Sequence, residues 1–170
     1  KKKYNLLLVA RSQNLLQEVA VEIAAKYSVE AHYLTLDLSL ASSPQSILQW
    51  IQQNNFPVSV LINNAGYGLW GNFDELSWED QQNMLQINVT TLIELTYRMI
   101  PLLQSQSSPK YILNVGSMAG FQSIPTLSLY AASKALVNNF TRGLAWELKD
   151  KNISVTLLAP GSVRTNFIER

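Results

Sequence analysis

The chain has 170 residues, of which 47% are hydrophobic and 15% charged, with a formal net charge of +1; this is typical of one globular domain with a single sizeable core, and it gives no hint of nucleic-acid binding. The absence of cysteine excludes disulfides, thiol catalysis and thiolate metal sites, and the single histidine, His32, argues against a protein-ligated zinc site and a Ser-His-Asp triad. No apolar run reaches the ~18 residues of a membrane span, so we expect a cytoplasmic protein with neither a metal nor a membrane partner.

Short apolar runs alternate with helical patterns along the sequence, which predicts one α/β domain over residues 1–170. Five runs are apolar on both faces, as buried parallel strands are. They are Asn5–Ala10, Ala31–Asp37, Val58–Asn63, Tyr111–Val115 and Ile153–Ala159. The predicted helices are Gln13–Tyr27 after the cap residue Ser12, Pro44–Gln53 after Ser43, a region from Trp78 to about Gln104 broken near Asn88, and a region from about Ser128 to Leu148.

Polar or glycine-rich residues follow every predicted strand. Ligands of open parallel sheets bind at the carboxyl ends of the strands, so these residues are candidates for a binding site. They are Arg11 and Ser12, Asp37 and Leu38, Asn63 to Gly66, Gly116 and Ser117, and Pro160 to Thr165. Turns are rich in the same residue types, so each group taken alone also fits a structural part.

The segment Gly66-x-Gly68-x-x-Gly71 carries the letters of a dinucleotide-phosphate fingerprint. A working fingerprint needs a helix directly after the turn and an acidic residue about 20 positions further on. Neither follows Gly71, and the next helix signal is Ser77 with Asp80 three residues later. We therefore interpret the match as accidental.

Tyr130 and Lys134 stand four residues apart in a helical pattern, so both side chains project from one helix face. A charged ammonium beside a phenol favours the phenolate, which makes the phenol a better proton donor and acceptor. Ser117, at the end of a predicted strand, adds a hydroxyl that can bond the same substrate oxygen. The three residues together predict a proton-transfer site.

Five motifs occur in one order along the chain: Asn63-Asn-Ala-Gly66, Asn88 in LQINVT, Ser117 in NVGS, Tyr130-x-x-x-Lys134, and Pro160-Gly-Ser-Val-Arg-Thr165. In order and spacing they resemble the short-chain dehydrogenase/reductase family over essentially the whole chain. The resemblance implies a doubly wound, Rossmann-like parallel sheet with helices on both faces. It also implies hydride transfer between a nicotinamide cofactor and an alcohol or carbonyl carbon.

The resemblance assigns roles to individual residues. Tyr130 is the implied acid/base, Lys134 lowers its pKa and holds the nicotinamide ribose, Ser117 polarises the carbonyl, and Asn88 anchors a water in the proton relay. The implied cofactor contacts, besides Tyr130 and Lys134, are Arg11, Ser12, Asp37, Leu38, Asn63, Ala65, Gly66, Pro160, Gly161, Val163 and Thr165. Arg11 and Ser12 stand where an NAD-specific relative places a carboxylate, and guanidinium pairs with a 2′-phosphate, so NADP(H) is the expected cofactor.

The family's glycine-rich cradle lies before the strand NLLLVA, yet only Lys1–Tyr4 stand there. We therefore expect a partial dinucleotide-binding domain that lacks the first and last strands of the sheet. A gap one strand wide is expected between Asn5–Ala10 and Val58–Asn63. A polypeptide of residues 1–170 alone is expected to bind NADPH weakly or not at all, and to aggregate or unfold.

Three functions are compatible with the sequence. The first is an NADP(H)-dependent carbonyl reductase or alcohol dehydrogenase acting on a small molecule, with the apolar loop residues Phe121 and Ile124 favouring a hydrophobic carbonyl compound. The second is a catalytically inactive, truncated family member that serves structure or partner binding. The third is a nucleotide-sugar epimerase, against which the NNAG motif and the short tail argue.

The helical regions Val89–Gln104 and Ser133–Leu148 carry more apolar residues than one buried stripe needs, which predicts a homodimer or a homotetramer. Similar helices form the dimer interface in the resembled family. The residues concerned are Leu92, Ile93, Leu95, Ile100, Leu136, Val137, Phe140, Leu144 and Trp146.

Overall fold

A computed structural model describes residues 4–161 of the chain. In this part strands and helices alternate as predicted, and every strand pair is parallel. The elements are β1 Leu6–Ala10, α1 Gln13–Tyr27, β2 Ala31–Thr35, α2 Ser43–Gln53, β3 Val60–Asn63, α3 Trp78–Leu85, α4 Leu92–Gln104, β4 Lys110–Val115, α5 Ser128–Glu147 and β5 Ile153–Leu158. The predicted α/β class is confirmed.

The strands form two separate sheets. β1 pairs with β2, and the second sheet has the order β3-β4-β5. Leu6 lies opposite Ala31 in the first sheet, and Val60 lies opposite Tyr111 in the second. Within the described residues β1 forms no ladder with β3, and the one-strand width of the expected gap stays a prediction.

One apolar cluster joins both sheets on a single face. Met99 of α4 and Leu144 of α5 are buried in it, and Leu7 of β1 packs against it. Helix α1 contacts β1 and β2, but its buried residues, Leu16 and Ala20, lie outside this cluster. Helix α1 therefore covers the other face of the first sheet, so helices lie on both faces, as in a doubly wound fold.

The α-helical geometry of the long helical region is interrupted near Asn88, as predicted, by a π-helical segment and not by a loop. Helix α3 begins after Ser77, whose hydroxyl accepts a hydrogen bond from the Asp80 amide, and continues through a π-helical segment, Gln86–Thr91, into α4. A π-helical turn contains an extra residue and changes the direction in which the following side chains project. Asn88 and Thr91, both in this segment, are buried.

Some of the apolar residues of α4 and α5 are buried, and others are exposed. Leu92, Val137 and Leu144 are buried and belong to the stripe that faces the interior. Leu136 and Trp146 on α5 are 44% and 77% exposed. Among residues 4–161, no helix combines the length and the apolar composition needed to cross a bilayer.

Candidate active site

Tyr130 and Lys134 lie one turn apart on the buried face of α5, with 7% and 4% of their surfaces exposed. The Lys134 ammonium donates a hydrogen bond to the backbone carbonyl of Val115, the last residue of β4, at 2.9 Å. The Tyr130 side chain is hydrogen-bonded to the Ser117 side chain. The structure thus brings together the three residues that the sequence predicted for proton transfer.

Ser117 begins a short 3₁₀ helix, Met118–Phe121, and its Oγ accepts a hydrogen bond from the Ala119 amide at 3.1 Å. The Asn138 side chain of α5 holds the Ser117 backbone from the other side. The sequence prediction did not include Asn138, although Asn138 stands four residues after Lys134 and shares the helix face of Tyr130 and Lys134.

Asn88 fastens the turn that follows β3. Its Oδ1 accepts from the Tyr67 amide at 3.0 Å, and its Nδ2 donates to the Tyr67 carbonyl at 2.9 Å and to Ser133 Oγ at 3.3 Å. A Cβ at Gly66 would stand 2.8 Å from Asn88 Oδ1 and 3.4 Å from Lys134 Nζ. Glycine at position 66 therefore lets the NNAG turn pack directly on Asn88 and Lys134.

Thr91, three residues after Asn88, fastens the loop that follows β2. Its hydroxyl donates to the Leu38 carbonyl at 2.8 Å. The neighbouring Asp37 carboxylate accepts from the amide and the hydroxyl of Ser39, both at 2.8 Å. The π-helical segment therefore positions two of the loops that were predicted to contact a cofactor. The sequence signal that could have identified Thr91 is its position three residues after Asn88.

Asn63 is placed differently from the other predicted cofactor residues. Its side chain is buried and donates to Thr96 Oγ1 at 2.9 Å and to Asn114 Oδ1 at 2.8 Å. Asn114 in turn donates to Thr141 Oγ1 at 3.0 Å. This network ties β3 to α4, β4 and α5, so the side chain of Asn63 serves the interior of the fold.

The remaining predicted residues lie at the strand ends. Arg11, Ser12 and Ala65 are exposed, and the Ser12 hydroxyl does not cap α1 although Ser12 is its N-cap residue. The Pro160 carbonyl accepts from the Met118 amide at 3.0 Å, which joins the ends of β4 and β5, and Gly161 next to it is exposed. Two further predicted contacts, Val163 and Thr165, lie outside the described residues.

Burial disfavours the charged forms of both Tyr130 and Lys134. It raises the pKa of Tyr130, opposed only by the hydrogen bond from Ser117, and lowers the pKa of Lys134 to about 8. The Tyr130 shift is thus opposite to the one expected from Lys134, because removal of the phenolate from water dominates. The two hydrogen bonds from Ser39, helped by the charge of Arg11, hold the pKa of Asp37 below its usual value.

These groups fit an anionic dinucleotide. The Arg11 guanidinium is exposed beside the N-terminus of α1, and a helix N-terminus favours phosphate. The Lys134 ammonium has three donors, and the described hydrogen bonds use one of them. Hydrogen-bond donors for phosphate and for ribose hydroxyls are therefore present at the carboxyl ends of β1 and β4.

Comparisons with known proteins identify the family of the chain. Residues 1–170 match the family model described as short chain dehydrogenase. The chain belongs to the short-chain dehydrogenase family. It is 33% identical over 166 residues to the NADP-dependent 3-hydroxy acid dehydrogenase of Schizosaccharomyces pombe, covering 97% of this chain and 64% of the relative.

Two further members show the same relationship. Sulfoacetaldehyde reductase 2 of Chromohalobacter salexigens is 31% identical, with 96% of this chain and 65% of the relative covered. The solved short-chain dehydrogenase from Sphingobium yanoikuyae in complex with NADPH is 28% identical, with a TM-score of 0.89 over 96% of this chain and 64% of that chain. This chain thus spans less than two thirds of the length of each of the three proteins. All three are named for catalysis, which does not favour the alternative of a chain that serves structure or partner binding alone.

We expect the stability of this short-chain dehydrogenase to depend on pH through Lys134. Its pKa is about 8 in the folded chain against 10.5 ordinarily, so the unfolded chain binds more protons between these values and stability rises with pH across that interval. Urea unfolding should show that Lys134→Met removes about 2 kcal/mol of this rise between pH 7 and 9.5. Lys149→Met, at an exposed lysine, should leave the rise unchanged. An equal rise in wild type and Lys134→Met would contradict the assignment.

Proposed function

We propose that this protein is an oxidoreductase that transfers a hydride between NADP(H) and a small-molecule carbonyl compound or secondary alcohol. The observation that carries the proposal is the hydrogen bond between half-buried Ser117, just after β4, and Tyr130, which is buried one helical turn from Lys134. Two hydroxyls at one point can hold a single substrate oxygen, and one of them can exchange a proton with it. Family membership supports the proposal.

The nicotinamide, when bound, would supply or accept the hydride. In reduction, the hydroxyls of Ser117 and Tyr130 donate hydrogen bonds to the carbonyl oxygen, and Tyr130 gives its proton as negative charge develops there. In oxidation, ionised Tyr130 takes the proton from the alcohol oxygen. Because burial raises the pKa of Tyr130, the phenol is protonated at neutral pH, which suits the reducing direction.

Lys134 links proton transfer to the rest of the site. With a pKa of about 8, it is still mainly charged at pH 7, and its charge counteracts the cost of forming a buried phenolate one helical turn away. The bond from Nζ to the Val115 carbonyl fixes the ammonium against β4. We assign its other donors to the ribose of the cofactor.

Arg11 supports NADP(H) over NAD(H). Its guanidinium is exposed at the end of β1. Because the carboxylate of Asp37 is already bonded to Ser39, the guanidinium can donate hydrogen bonds to a 2′-phosphate. The S. pombe relative is named as NADP-dependent, and the solved relative is a complex with NADPH.

Three exposed apolar side chains stand on the loops that follow β3 and β4. Trp70, after β3, and Met118 and Phe121, after β4, are all more than half exposed. The two loops are joined by the hydrogen bond from the Gly71 amide to the Thr126 carbonyl at 2.9 Å. We propose a substrate whose carbonyl carries an apolar group, since exposed apolar surface of this kind favours such a ligand.

Replacement of Tyr130 by phenylalanine tests the proposed chemistry. Tyr130→Phe removes the proton donor and keeps the ring, so kcat with NADPH and a ketone should fall by ~10²–10⁴ while the melting temperature stays close to that of wild type. Tyr27→Phe, at an exposed tyrosine, is the matched control and should keep full activity. Ser117→Ala should cost less than Tyr130→Phe, because it removes one hydrogen bond and no proton. Retention of most activity in Tyr130→Phe would refute the proposal.

Replacement of Arg11 tests the cofactor. A charge-assisted bond to phosphate is lost in Arg11→Ala, so the ratio of kcat/KM for NADPH to that for NADH should fall roughly tenfold or more. Arg142→Ala, at an exposed arginine on α5, should leave the ratio unchanged. The cofactor assignment is wrong if both variants keep the ratio of the wild type.

We also propose that the protein is a homodimer or a homotetramer in which α4 and α5 meet a second copy. Tyr97 on α4 is 76% exposed and Trp146 on α5 is 77% exposed. Apart from its two chain neighbours and the backbone of its own helix, no described atom lies within 4 Å of a Cβ placed at Gly143, one turn before Trp146. Two large aromatic side chains and an open small residue make a surface that a partner helix can cover.

Trp146→Glu should weaken self-association at least tenfold, as the loss of a central interface aromatic does. Sedimentation equilibrium of the full chain at micromolar concentrations measures the change. Trp78→Glu, at an exposed tryptophan on α3, should keep the wild-type state. A monomeric wild-type protein in that range would rule out this surface as a stable interface.

A further inference from the structure

Asn138 holds the backbone of Ser117 with both ends of its amide. Its Nδ2 donates to the Ser117 carbonyl at 3.1 Å, and its Oδ1 accepts from the Ser117 amide at 3.4 Å. The side chain is 2% exposed. Ser117 lies just past the end of β4. The Asn138 side chain thus makes the two backbone hydrogen bonds with Ser117 that a neighbouring strand would make.

The surroundings of Asn138 leave it no room to move. A Cβ at Gly116 would overlap with Asn138 Oδ1, and a Cβ at Gly120 would stand 2.6 Å from Asn138 Nδ2. Glycines on both sides of Ser117 therefore let the chain close around the amide. Because a buried amide is costly to leave unbonded, the conformation of residues 116–120 is coupled to the position of α5.

Asn138 also shares its helix face with the proton-transfer pair. Tyr130, Lys134 and Asn138 follow one another at intervals of four residues on α5, and all three are buried. Tyr130 and Asn138 both bond Ser117, one at the side chain and the other at the backbone. Because Tyr130 and Asn138 both belong to α5, this one helix sets the distance between the Ser117 and Tyr130 hydroxyls.

We propose that Asn138 is a positioning residue that holds the Ser117 hydroxyl at the same substrate oxygen as the Tyr130 hydroxyl. The inference rests on the proposed function, since it requires that both hydroxyls meet at one reacting oxygen. A displacement of about 1 Å in such a group can cost ~10²-fold in rate. Asn138 itself touches neither substrate nor cofactor in this assignment.

The test is a double-mutant cycle in the full chain, with NADPH and a ketone as substrates. Asn138→Ala should lower kcat about 10- to 100-fold and leave the dissociation constant of NADPH within about twofold. In the Ser117→Ala background the same substitution should change kcat less than about threefold, because the hydroxyl that Asn138 positions is already gone. Asn139→Ala, at the exposed neighbouring asparagine, is the matched control and should behave as wild type.

Asn138→Asp provides a second variant of nearly the same shape. The carboxylate keeps the acceptor for the Ser117 amide and loses the donor for the Ser117 carbonyl, so kcat should again fall at least tenfold, and this variant decides the matter if Asn138→Ala does not fold. Equal losses from Asn138→Ala with and without Ser117 would overturn the proposal, as would wild-type kcat in Asn138→Asp. If Tyr130→Phe inactivates the enzyme while the Asn138 variants remain active, this inference alone fails; if Tyr130→Phe remains active, the proposed function fails first.

Discussion

Helix α5 is fastened to strand β4 by polar side chains along its buried face, and the arrangement of the whole site follows from this attachment. Lys134 bonds the carbonyl of Val115, Asn138 bonds the backbone of Ser117, and Thr141 accepts from Asn114. Each of these groups is buried, and a buried polar group without a partner is costly, so a shift of the helix by one residue would break all of the bonds together. The register between helix and strand is thereby fixed.

That fixed register explains how a helix and a loop can bring two hydroxyls together. Tyr130 is carried by α5, and Ser117 lies beyond the end of β4, yet the two side chains are hydrogen-bonded. Burial, which secures the geometry, also raises the pKa of Tyr130 and lowers that of Lys134. Positional accuracy is thus gained by disfavouring the charged form of both groups, and the hydrogen bond from Ser117 offsets part of that effect on the phenolate.

The π-helical segment between α3 and α4 makes the corresponding attachment on the other side of the site. From this one segment, Asn88 holds the turn after β3 and Thr91 holds the loop after β2. An α-helix places residues three apart about 60° from one another on its surface, whereas the wider π-helical turn changes this angle. The two sheets share no ladder among the described residues, so the Thr91 bond to Leu38 is one of the links that connect their loops.

The sequence by itself determined the order of strands and helices and the parallel α/β class, and it predicted that Ser117, Tyr130 and Lys134 lie together. These follow from local signals: apolar runs, caps such as Ser77, and the four-residue spacing of Tyr130 and Lys134. Only the tertiary structure decided that Asn63 turns into the interior, that Asn138 and Thr91 fasten the loops, and that burial raises the pKa of Tyr130. Each of these depends on contacts between residues that are distant in the chain, and on how far water is excluded. The distance from Asn138 to Ser117, or from Thr91 to Leu38, is set by the packing of whole elements, which local spacing does not encode.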